Sequence, residues 1–198
     1  MRAFTDARDP DTSDEIWLTE HPPVYTVGLA ARIEHFPRMT SSIPLINTDR
    51  GGQITYHGPG QVVAYTLFDL RRPKLGVREY VRRLEWAIID VLAADGIVAY
   101  GKVGAPGVYV RRVDICIGGE AKIAALGLKV RSGCTYHGVA VNVDMDLSPF
   151  ATIDPCGYAG LAVTQMRDLG STRHVGAVGD ALAVSLCQQL NVRPRVNV

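Results

Sequence analysis

Most apolar segments of this chain are separated by fewer residues than a crossover helix needs, which restricts the fold more than any other feature. Parallel strands require connections of about a dozen residues or more, usually helical. Here short, β-branched runs follow one another through glycine and proline turns. Residues 16–20 stop at Pro22-Pro23, residues 24–27 at Gly28 and residues 45–48 at Asp49, while 29–44 read as loop. Residues 62–68 form a buried run before the polar turn 71–76, and further strands are expected at 97–100, 107–112, 122–130 and 134–145. Two stretches are helical instead. Val77, Tyr80, Val81, Leu84, Ile88, Val91 and Leu92 recur at spacings of three and four, with Gly96 at the capping position. Val175, Val178, Leu182, Leu186 and Leu190 make a second stripe near the end. Strands outnumber helices, so the expected class is α+β, a mixed or antiparallel sheet packed with helices, and not a Rossmann fold.

No repeat or linker interrupts the 198 residues, and one domain over 1–198 is expected. The chain carries 21 basic and 20 acidic side chains, a balance that argues against general nucleic-acid binding. No apolar run approaches the ~20 residues of a membrane span. The polar first residues lack a signal-peptide core, so a reducing cytoplasm and free thiols are expected. Cys116, Cys134, Cys156 and Cys187 form no CxxC pair and have no histidine at zinc-finger spacing, so no metal is expected.

Four constellations carry possible chemistry. The block from Arg50 to Gln61 (RGGQITYHGPGQ) matches neither GxGxxG nor a P-loop. It reads either as a glycine-rich sheet corner or as a ligand cradle in which glycines admit close backbone approach. Cys156 lies between Pro155 and Gly157, on a rigid turn that can hold a thiol toward a cleft; the other three cysteines read as small buried residues. Lys122 opens an apolar run and is one of only four lysines against 17 arginines. It reads as an edge-strand charge, or as an ammonium lowering the pKa of a thiol from its usual ~8.5. His137 reads as a satisfied strand histidine, and Gly138 and Ala140 beside it as space for an apolar ligand or for an oxyanion-binding amide.

Together these residues resemble the lipoyl(octanoyl) transferase family. The resemblance runs through DEIWLTEHPPVYTVG (14–28), RGGQITYHGPGQ (50–61), APGVYV (105–110), KIAALG (122–127), YHGVAVNV (136–143), DLSPF (146–150) and PCGYAG (155–160). It implies the fold of lipoate and biotin protein ligases. It also implies octanoyl transfer from octanoyl-acyl carrier protein to a lysine of lipoyl domains, those of 2-oxoacid dehydrogenases and the glycine cleavage H protein. Within it, Cys156 carries the acyl group as a thioester and Lys122 lowers its pKa. Arg50, Gly51, Gly52, Gln53, Ile54, Thr55, Tyr56, His57, Ala125, Leu126, Gly127, Gly138, Val139 and Ala140 correspond to substrate contacts. The thioester is already activated, so no cofactor, nucleotide or metal is implied. The family usually carries a further segment before FTDAR (4–8 here), so either the start codon is placed late or an edge element is missing, and residues 111–121 make a longer loop before Lys122.

An octanoyl tail worth ~0.8 kcal/mol per buried methylene calls for an apolar tunnel. Arg71, Arg72, Lys74, Arg78, Arg82 and Arg83, around the start of the first long helix, read as a carrier-protein surface or as a solvated face. Three rivals stand: an ATP-dependent lipoate or biotin ligase, a thiol hydrolase pairing Cys156 with His57 or His137, and a non-catalytic lipoyl-domain-binding module.

Overall fold

The computed structural model describes residues 1–32, 42–112, 114, 119–153 and 161–192. Its elements in chain order are α1 (Arg2–Asp6), β1 (Glu15–Thr19), β2 (Val24–Val27), β3 (Leu45–Asn47), β4 (Ile54–His57), β5 (Gln61–Leu67), α2 (Val77–Ala93), β6 (Ala99–Gly101), β7 (Val108–Arg111), β8 (Glu120–Arg131), β9 (Cys134–Asn142), β10 (Ala162–Val163) and α3 (Val175–Leu190), all of them expected except α1, β4 and β10. The main sheet has the order β1-β5-β9-β8-β7-β6, every neighbour antiparallel, with β10 joining β8 in parallel. A smaller sheet has the order β3-β2-β4.

The short connections produce the antiparallel run β6-β7-β8-β9, whereas β5 pairs with β1 and β9 from farther along the chain. β8 and β9 form a hairpin through Ser132 and Gly133, both at positive φ (49° and 80°), the turn geometry whose twist suits paired strands. The two helical stripes do what their spacing predicts. Tyr80, Leu84, Ile88, Val91 and Leu92 of α2 and Val178, Leu182, Leu186 and Leu190 of α3 are buried in one core against Val62, Ala64, Val108, Ile123, Val139 and Val141 of the sheet. A second core lies under the small sheet, where Tyr25, Val27, Ile54 and Tyr56 meet Met145, Phe150 and Ile153.

Two expectations are corrected. The glycine-rich block contains a strand: its glycines flank β4, in which Ile54 and Tyr56 point into the second core and Thr55 and His57 to the other face. Lys122 is not an edge charge. It pairs with Tyr109 of β7 on one side and Val163 of β10 on the other, and is buried. The periodicity also passes over α1, whose five residues are too few to show a helical repeat.

Glycines let backbones meet where the two sheets join. A Cβ on Gly28 would lie 2.3 Å from the Gly52 carbonyl oxygen, and one on Gly127 2.7 Å from that of Gly51. The Gly51 amide donates to Leu128 O at 2.8 Å, fastening the loop before β4 to β8. Gly138 is tighter still, since a Cβ there would stand 1.9 Å from Ala64 O. Its missing side chain is filled by sheet backbone, not by a ligand. Gly138→Ala is therefore expected to destabilise the fold by about 3 kcal/mol, read as a lowered urea midpoint at unchanged slope.

Candidate active site

Lys122 is presented by an irregularity in the sheet. Val108 faces Ala124 and Tyr109 faces Lys122, so Ile123 is an extra residue on β8, a bulge of the kind that re-aims side chains. β9 pairs with β8 from Ala124 to Arg131, and β10 pairs with β8 at Ala121 and Lys122. Lys122 is only 4% exposed; its Nζ donates to Pro106 O at 2.9 Å and stands 5.2 Å from the centre of the Tyr109 ring. Burying an ammonium is costly unless it is hydrogen-bonded, and a carbonyl and a ring face both favour it. The Gly107 backbone (φ 133°) lies against the lysine stem: a Cβ there would be 2.4 Å from Lys122 Cε. The Gly107 amide in turn donates to Glu85 Oε1 of α2 at 2.9 Å. Burial raises the Glu85 carboxyl pKa, while the Gly107 amide and the Lys122 charge act the other way.

Lys122 borders a cleft lined by Thr55, Gln61, Ala124, Ala125, Asn142, Phe150 and Val163. The free volume it leaves among the described residues is about 20 Å³. A larger depression of about 430 Å³ lies at the β6 edge, between Ile97, Val98, Tyr100, Val110, Arg111 and Leu169. It presents no nucleophile or acid–base pair.

A directed hydrogen-bond chain forms one wall of the cleft. Gln61 Nε2 donates to Asn142 Oδ1 (2.9 Å), which leaves Gln61 Oε1 to accept from His57 Nδ1 (2.7 Å). His57 thus carries its proton on Nδ1, and its Nε2 accepts from Thr26 Oγ1 at 3.3 Å. Thr26 Oγ1 takes the Arg50 Nη2 at 2.9 Å. At the other end Asn142 Nδ2 donates to Thr164 O, and the Thr164 amide to Lys122 O, both at 3.0 Å. Burial pushes the His57 pKa down to about 4, aided by Arg50 and opposed by the Gln61 bond.

A second cluster braces the same loop from outside. Asp49, next to Arg50, accepts from His137 Nε2 (2.8 Å) and Tyr136 Oη (2.5 Å), and pairs with Arg2 of α1 at 3.3 Å. Burial pushes the Asp49 carboxyl up, but these bonds more than offset it and hold it well below the usual carboxylate range. His137 is the satisfied strand histidine expected, although it adopts φ 64°, a left-handed value rare within a strand.

The remaining candidates separate by role. Gly51, Gly52 and Gly127 belong to the joint between the sheets; Ile54 and Tyr56 are core. Thr55 and Ala125 face the cleft, and Leu126 packs on the main core. Gln53 Oε1 is buried with no donor among the described residues. Gly138, Val139 and Ala140 sit mid-sheet, paired to both β5 and β8, so the Gly138 amide belongs to the ladder and is not set aside for an oxyanion. Cys134 and Cys187 are buried as expected; Cys116 and Cys156 lie outside the described residues. Most of the cation cluster is engaged locally: Arg71 with Asp69, Arg72 with Asp14, and Arg82 and Arg83 with Glu79. Sequence reasoning missed Glu85 and Val163 as neighbours of the site. Gln61, Asn142 and Phe150 had a signal, since each falls within a recognised block.

The His57 shift has a measurable sign. Its folded pKa is below the unfolded value of about 6.5, so its contribution to stability is present above pH 6.5 and is lost as pH falls toward 4. Part of the decline in urea midpoint between pH 7.5 and 5 is expected to disappear in His57→Asn; an identical decline in both proteins refutes the assignment.

Comparison with known proteins places this geometry. The family model of the lipoyl protein ligase A/B catalytic domain matches residues 1–186. An octanoyltransferase of Paraburkholderia phytofirmans is 57% identical, covering 96% of this chain and 78% of that protein. One of Dechloromonas aromatica is 56% identical, covering 96% and 89%. Among solved structures, a putative lipoate protein ligase from T. acidophilum superposes with a TM-score of 0.76 at 17% identity, covering 98% of this chain and 79% of that one. A lipoate-protein ligase A solved with ATP gives 0.75 at 16% identity, covering 99% and 80%. Biotin protein ligase from Aquifex aeolicus is more distant, at 0.54 and 12% identity, covering 84% and 70%. The mixed sheet packed with helices is thus the lipoate and biotin ligase-like fold, and the chain belongs to the lipoyl protein ligase A/B catalytic-domain family, on the side of its octanoyltransferases, which are acyltransferases.

Proposed function

We propose that this protein moves an octanoyl group from octanoyl-acyl carrier protein to a lysine of a lipoyl domain through a thioester on Cys156. The observation that carries this reading is the placement of Lys122. It is buried at a cleft whose lining includes Phe150 and Val163, which flank in sequence the block containing Cys156. Val163 is moreover paired directly with Lys122. A charge kept at such a cost of burial has a use there, and a nearby thiolate is the group it would favour.

The reaction proceeds in two steps. The Cys156 thiolate attacks the thioester carbonyl, the tetrahedral intermediate collapses, and the carrier's thiolate leaves with a proton from Lys122. The acceptor amine then attacks the new thioester, Cys156 leaves as thiolate, and the amine's surplus proton passes to the neutral Lys122. Lys122 thereby ends as it began. Several methylenes at ~0.8 kcal/mol each can drive octanoyl binding.

Incubation with octanoyl-carrier protein is expected to add one octanoyl group to the intact mass, mapped to Cys156, and Cys156→Ser to abolish transfer. In Lys122→Ala, alkylation of Cys156 is expected to require higher pH; an unmoved profile means the two groups are not coupled. ATP with free octanoate and no carrier should give no octanoyl-lysine. Product under those conditions makes the protein a ligase, and free octanoate as the main product of the carrier reaction makes it a thiol hydrolase.

A further inference from the structure

We propose that Glu85 is a positioning residue for Lys122, acting through the backbone of Pro106 and Gly107. The inference rests on the reading of Lys122 just given and names a group on another element that this lysine needs. Glu85 is 8% exposed, on a helix whose other buried residues are Tyr80, Leu84, Ala87, Ile88, Val91 and Leu92. A carboxylate there is costly unless its oxygens are used. One is: Oε1 accepts the Gly107 amide at 2.9 Å. The other faces Gly101, where a Cβ would come within 2.9 Å of it.

The peptide unit between Pro106 and Gly107 is therefore held from both ends. Its N–H points to Glu85, and its C=O, that of Pro106, receives Lys122 Nζ at 2.9 Å. A peptide is planar, so fixing the direction of the N–H fixes that of the C=O. Glu85 thus aims the carbonyl that anchors the ammonium. Gly107 completes the arrangement. Its φ of 133° and the 2.4 Å separation between an added Cβ and Lys122 Cε leave no room for a side chain between helix and lysine. A carboxylate that merely tolerated burial would have no reason to end on this one amide.

The required property is an acceptor oxygen at the reach of glutamate, which sets distinct expectations for three variants. Glu85→Gln keeps that oxygen and is expected to keep kcat within about threefold of wild type. Glu85→Asp keeps the charge but falls one methylene short, and Glu85→Leu offers no acceptor; both are expected to lower kcat by roughly tenfold to a hundredfold, as small misplacements do, with KM for octanoyl-carrier protein little changed. The Gly107 amide proton should move upfield in Asp and Leu but not in Gln. The pH profile of Cys156 alkylation should shift in Glu85→Leu and should not shift further when Glu85→Leu is added to Lys122→Ala.

A purely structural role would lower the urea midpoint in all three variants and leave kcat of the folded protein unmoved, which overturns the proposal. An equal additional shift in the Lys122→Ala background overturns it as well, since Glu85 then acts by another route. If Glu85→Leu does not fold, the Gln and Asp pair decides: equal kcat in the two defeats the positioning role. If Lys122→Ala itself keeps wild-type activity and alkylation profile, the reading of Lys122 fails first. Loss in Lys122→Ala with none in the Asp variant leaves that reading standing and removes only Glu85.

Discussion

The site depends on keeping one ammonium group inside the protein. Lys122 lies in the interior of a β-sheet, where a cation is expensive, and the surroundings are arranged to hold it. A bulge turns its side chain, a carbonyl accepts from its Nζ, an aromatic face lies under it, and a glycine clears its stem. Only the bulge belongs to the strand that carries Lys122. The others come from β7, from the turn before it and, through Glu85, from α2. The sheet, the loop and the helix are therefore a single support for one charge.

The second organising constraint is the joint between the two sheets. Gly127 lets β8 approach the Gly51 carbonyl, and Gly28 lets the end of β2 approach that of Gly52; a side chain at either glycine would block the approach. The small sheet delivers Thr55 to the cleft and His57 to the chain that reaches Asn142. That chain settles the proton on His57 Nδ1, and burial keeps the ring neutral near pH 7. The Asp49 cluster holds the neighbouring loop to α1 and β9, so the start of the chain is fastened to the wall of the cleft.

Much of the architecture is legible in the residues because its causes are local. Short connections favour the antiparallel run through β6, β7, β8 and β9, apolar repeats of three and four give both long helices, and Ser132-Gly133 gives the hairpin. Reading the block at 50–61 as turned backbone misplaced β4, since flanking glycines dominate the composition while four residues between them alternate faces. At Gly138 the space a side chain would take is filled by a neighbouring strand's carbonyl, a contact no local pattern announces.

By itself, the sequence determined the two long helices and most strands, the class of fold, and the residues whose chemistry is unusual, Lys122 and Cys156, because propensity, periodicity and motif are properties of adjacent residues. Only the tertiary structure decided that Lys122 is interior rather than at an edge, that Glu85 is tied to it through one peptide plane, and that half of the glycine-rich block is joint and core. Those are matters of which strand lies beside which. Strand order is fixed by burial and backbone pairing between residues as far as 81 positions apart, the separation of Gln61 and Asn142, at which a linear pattern carries no register.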